Sequence, residues 1–102
     1  MLDQAHEKEI QPEEVLLAHM DIGDQAETFL KSDLGRVLTG LARQEAEEAL
    51  DQLKTVKPDD VLRIQELQGT IRRAESFNEW LIALMSRGRE AYRELIDRKG
   101  DE

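Results

Sequence analysis

The chain has 102 residues, enough for one domain, and its 39% hydrophobic and 36% charged side chains make it too apolar and too periodic to be disordered. A formal charge of −9, from 23 acidic against 14 basic side chains, disfavours a broad nucleic-acid surface, because phosphate carries the same sign. The absence of cysteine excludes a disulfide framework, a thiolate nucleophile and Cys-ligated zinc, and fits the cytoplasm.

Residues 1 to 11 are polar and unpatterned and read as a mobile arm. They carry neither the basic nor the apolar region of a signal peptide, and no apolar run in the chain is long enough to span a membrane. Pro12 suits the first turn of a helix, and Glu13 and Glu14 complement the positive end of its dipole. Val15, Leu16, Leu17 and Met20 make a short apolar cluster. The spacing predicts a short helix over about 12–20, ended by a left-handed cap at Gly23.

Asp24-Gln25-Ala26-Glu27 has the side chains of a capping box, although Ser or Thr is preferred at its first position. A long helix is expected over about 24–55, with an apolar stripe of Leu30, Leu34, Val37, Leu38, Leu41, Ala46, Ala49, Leu50 and Leu53. Gly35 and Gly40 lie inside it, each costing about 1 kcal/mol relative to Ala. A kink near Ser32-Asp33 is the competing reading.

Val56-Lys57-Pro58-Asp59-Asp60 is the clearest punctuation: Pro58 stops a helix, and the aspartates suit a new N-terminus. The second long helix is expected over about 59–97, with a weak point at Ser86-Arg87-Gly88 and fraying from Lys99. Its stripe recurs every three or four residues through Leu62, Ile64, Leu67, Ile71, Ala74, Phe77, Leu81, Leu84, Ala91 and Leu95. The predicted fold is all-α: a long antiparallel helical hairpin with a short N-terminal helix, in a single helical domain over 12–102. Phe77, Trp80, Leu84, Met85 and Tyr92 widen the second stripe beyond what one partner helix covers. That excess predicts self-association into a helical bundle, a dimer first.

Chemistry is sparse. Glu45, Glu47, Glu48 and Asp51 are the densest carboxylates. A di-iron bundle needs Glu-x-x-His motifs, and neither His6 nor His19 sits in one. Glu47-Glu48-x-x-Asp51 and Glu94-x-x-Asp97 have a passing likeness to the magnesium-holding helices of nucleotide pyrophosphatases, but a hairpin separates them. These carboxylates read as a solvated face, so no metal, no cofactor and no enzymatic activity are expected. Arg87, Arg89, Arg93, Arg98 and Lys99 complement the C-terminal end of a helix dipole. The sharper reading of Arg87, Arg89 and Arg93 is a small basic contact for nucleic acid or an acidic partner, with Tyr92 stacking. Phe77, Trp80, Leu84 and Tyr92 are the candidate interaction residues, since aromatic side chains anchor interfaces.

Phe29-Leu30-x-Ser32-Asp33-Leu34-Gly35-Arg36, Lys57-Pro58-Asp59-Asp60, Ile64-x-x-Leu67-Gln68 and Phe77-x-x-Trp80-Leu81 resemble small helical proteins of tailed phages and prophages, from the region of head and packaging genes. The likeness spans about residues 28 to 90. It implies a phage setting, in the host cytoplasm or on the virion, and carries no activity and no site. The expected function is that of a non-enzymatic accessory in virion assembly or packaging, a scaffold or adaptor bound to a phage structural protein. The alternative is an acidic inhibitor of a host defence enzyme or other host protein, using Glu45 to Asp51 with Glu66.

Overall fold

A computed structural model of the chain describes residues 11 to 100. The described residues are all-helical, with no strand among them: α1 is Glu13–Lys31, α2 is Asp33–Leu53 and α3 is Val61–Gly100. They divide into two compact units. One joins the residues up to Glu27 with those from Ala83 onward, and the other is Thr28–Ile82.

In the first unit α1 packs antiparallel to the C-terminal part of α3. Leu16 meets Ala91 and Leu95, with Met20 alongside, while Gly23 lies against Gly88. The predicted stop at Gly23 is therefore wrong, and α1 continues to Lys31. No described glycine has a positive φ, so Gly23 is not a left-handed cap. Its bare backbone is used for close approach: a Cβ there would stand 3.1 Å from Gly88 Cα and 3.1 Å from the Leu84 carbonyl oxygen. Asp24 is consequently mid-helix, and no capping box opens there.

The arm assigned to residues 1 to 11 lies outside the described residues except at Gln11. That residue is held, because its carbonyl accepts a 2.6 Å bond from the Arg98 guanidinium. The Pro12 carbonyl accepts from the amides of Val15 and Leu16 at 3.0 and 3.2 Å, which starts α1.

The second unit begins at the last turn of α1 and contains a correction to the continuous helix over 24–55. The helix breaks at Ser32, at the position of the competing kink. The Ser32 hydroxyl donates to the Phe29 carbonyl at 2.6 Å and accepts from the Gly35 amide at 3.0 Å. One side chain thus closes the end of α1 and caps the start of α2. Ser32 has extended backbone (φ −73°, ψ 160°), which turns the chain out of the helical path. Gly35 is buried against Phe29, where a Cβ would collide with the Phe29 carbonyl.

α2 then runs antiparallel to the first part of α3. The turn between them uses the amides of Lys54, Thr55 and Val56, which donate to the carbonyls of Asp51 and Gln52 at 3.1–3.2 Å. α3 starts at Val61, with the Asp60 carboxylate accepting from the Arg63 amide at 3.2 Å as its cap. The Arg63 guanidinium reaches across to the Gln52 side chain and pairs with Glu66 at 3.1 Å.

At about 1.5 Å per residue α3 is about 60 Å long. It passes unbroken through Ser86-Arg87-Gly88, and Lys99 and Gly100 remain helical rather than frayed. Leu67, Ala74, Leu81, Gly88 and Leu95 recur every seventh residue, and each is buried or half-buried. Seven-residue spacing keeps these positions on nearly one side of the helix, the side that packs within each unit. Leu62, expected in the same stripe, is 74% exposed.

Candidate interaction surfaces

The packing face of α2 is made of small residues. Gly35 and Ala49 are buried, and Thr39, Ala42, Ala46 and Leu53 are half-buried. Gly35, Ala42 and Ala49 are seven apart, as are Thr39, Ala46 and Leu53, so together they form a regular seam against α3. Small side chains allow two helix axes to come close. They also decide where the large ones go.

Leu34, Val37, Leu38 and Leu41 follow the i, i+3, i+4, i+7 spacing of a second strip on α2, and this strip faces outward. Leu34, Val37 and Leu41 are 61%, 57% and 55% exposed. The stripe expected to form the core of α2 is therefore a surface over these four residues. One turn further along, the strip continues as the exposed Glu45 and Glu48.

Beside this strip lies an open groove of about 540 Å³ between α2 and α3, walled by Leu38, Leu41 and Phe77 and edged by Glu45, Glu48 and Arg73. Phe77 is half-buried and meets Phe29 edge to face, with centroids 6.4 Å apart and planes at 75°. Trp80, one turn on from Phe77, is 69% exposed. Within this unit the candidate residues Phe77 and Trp80 thus differ: the first supports the fold and lines the groove, and the second is free for contact.

In the first unit, the Gly23–Gly88 approach lies in a groove of about 640 Å³ bordered by Met20, Asp24 and Glu27 of α1 and by Met85, Arg89, Tyr92 and Arg93 of α3. Tyr92 is 54% exposed. Leu84 is half-buried, with its carbonyl at the glycine approach, so it belongs to the packing more than to the surface. Arg87 points to a different groove, lined with His19, Glu90 and Glu94. The three arginines expected to form one basic contact are therefore divided, Arg89 and Arg93 lining one groove and Arg87 another.

Among the described residues no three of His, Asp or Glu are grouped so as to hold a metal ion. No described helix is long and apolar enough to cross a membrane. Compared with protein-family models, curated proteins and solved structures, the chain matches none.

The outward strip on α2 is what sequence reasoning missed. The signal was present in the two interleaved periodicities. The leucine series ends at Leu41 and passes into Glu45 and Glu48, while the glycine–alanine series persists to the end of the helix. The series that spans the whole helix is the one that packs.

Proposed function

We propose that this chain is a non-enzymatic scaffold or adaptor that works through helix–helix contacts, with self-association as its first expression. The observation that carries the reading is the outward strip of Leu34, Val37, Leu38 and Leu41. Single exposed leucines are ordinary, but four large apolar side chains at helical spacing form a contiguous patch of the kind that marks an interaction site. Trp80 adds an exposed anchor of the residue type that dominates interface energies. The likeness of residues 28 to 90 to small helical phage proteins is the support for a setting in virion assembly or packaging, with a phage structural protein as the further partner.

The test is the mass of the purified protein in solution by light scattering, over a range of concentrations. The wild-type chain is expected above the mass of one chain. Leu38→Glu with Leu41→Glu, or Trp80→Ala, should lower that mass while far-UV circular dichroism keeps its helical signal, because all three positions are exposed. Association identical in all of these proteins would remove the strip from the function.

A further inference from the structure

We infer that the occupant of the α2 strip is a second copy of this chain, docked through the outer face of its α3 between Met85 and Ile96. The inference rests on the helix-contact reading above and names the partner of that same strip.

Two exposed faces of the chain complement one another. On α2, the apolar strip from Leu34 to Leu41 is followed by the exposed carboxylates of Glu45 and Glu48. On α3, Met85, Arg89, Tyr92, Arg93 and Ile96 fall at i, i+4, i+7, i+8 and i+11, which is one side of a helix. Tyr92 and Ile96 are about half exposed, and Arg89 and Arg93 are exposed beside them. The α2 strip ends in two carboxylates, with Arg73 across the groove beside it, and the α3 strip carries two guanidiniums, with Asp24 and Glu27 across the groove beside it.

None of Glu45, Glu48, Arg89 and Arg93 is committed to an ion pair among the described residues. The carboxylate of Glu48 accepts from the neighbouring Gln44, at 3.1 Å, and the Arg89 guanidinium donates to the Ser86 hydroxyl, at 3.4 Å. Bringing these four side chains together therefore breaks no ion pair of their own. The strip set against the α3 face of a second copy covers apolar surface on both sides and brings opposite charges together, the arrangement that fixes register and rejects wrong partners. Asp24 and Glu27 border the groove on its α1 side, so the incoming carboxylates approach over α3, where the guanidiniums stand. Such a contact joins unlike patches and is heterologous, which suits a protein that builds larger assemblies.

Charge exchange tests the pairing. One variant carries Glu45→Arg and Glu48→Arg, and the other carries Arg89→Glu and Arg93→Glu. Each is measured alone and in an equimolar mixture by light scattering, with circular dichroism to verify helicity. Each variant alone is expected to fall to the mass of one chain. The mixture is expected to return to two or more chains, because the basic strip of the first variant then meets the acidic α3 face of the second. Variants that associate alone as the wild type does, or a mixture that stays at one chain, would overturn the pairing. If Leu38→Glu with Leu41→Glu abolishes association while both charge variants keep it, the pairing fails and the helix-contact reading stands. A wild-type chain of single mass at every concentration would overturn it as well.

Discussion

Gly35→Ala and Gly40→Ala make the same chemical change, five residues apart in the same helix, and the structure assigns them opposite signs. In a helix interior Ala is favoured over Gly by about 1 kcal/mol. A Cβ at Gly40 meets nothing within 4 Å, so Gly40→Ala should gain that full amount. For a chain of this size it raises the melting temperature by about 4 °C. A Cβ at Gly35 collides with the Phe29 carbonyl oxygen and crowds Leu30 Cα at 3.1 Å. Both obstacles are backbone, so no rotamer relieves them. The α1–α2 junction must open, and the Gly35 amide leaves the Ser32 hydroxyl, a cap worth about 1 kcal/mol. Overpacking of this kind costs about 1–3 kcal/mol. Against the propensity gain, Gly35→Ala should still destabilise by about 1–3 kcal/mol. Urea unfolding followed by circular dichroism measures both variants against the wild type. A Gly35→Ala protein stabilised as much as Gly40→Ala would mean that no break exists at Ser32 and that one helix runs through it.

Gly88→Val places a branched side chain where even a Cβ stands 3.1 Å from the His19 carbonyl and 3.2 Å from Gly23 Cα, and should cost about 2 kcal/mol in urea unfolding; an unchanged midpoint would remove the glycine approach. Leu67→Ala empties a site only 4% exposed and should cost about 2–4 kcal/mol, whereas Leu62→Ala, at 74% exposed, should stay within about 0.5 kcal/mol. Equal losses at the two positions would refute the assigned face of α3. Arg98→Ala removes the bond to the Gln11 carbonyl and the 3.2 Å pair with Glu94. Amide exchange at Val15 and Leu16, the first donors of α1, should then accelerate, and unaltered protection there would show that Arg98 does not hold the helix start.

The helical class, the turn at Val56–Asp60 and the packing face of α3 were legible because each rests on a strong local signal. Pro58 cannot continue a helix, Asp60 can cap one, and the series from Ile64 to Leu95 runs almost the whole length of its helix. The boundaries of α1 and α2 were misplaced because glycine and serine each have two uses. Gly23 has the residue type of a cap and the location of a contact, and only the presence of Gly88 opposite decides between them. Ser32 ends a helix through its hydroxyl bonds to Phe29 and Gly35, which residue type alone does not specify. For the surface, Trp80 and Tyr92 were identifiable as aromatic side chains in excess of one packing face. The α2 strip was not, because a leucine series ordinarily outranks an alanine series as a core.

The alanine seam of α2 also bears on how this protein responds to dilution. Burying Ala removes far less apolar area than burying Leu, and a fully buried Leu contributes about 1.5–3 kcal/mol. With Gly35, Ala42, Ala46 and Ala49 inside and Leu34, Val37 and Leu41 outside, much of the cohesion available to the α2–α3 hairpin stays unrealised in the single chain. A partner that seats on the strip recognises the helical spacing of those leucines, which the unfolded chain lacks. If a partner fills the strip, its binding and unfolding are linked by mass action, and the melting temperature rises with that partner's concentration. Thermal melting then becomes a titration of the partner, readable without any label on either molecule.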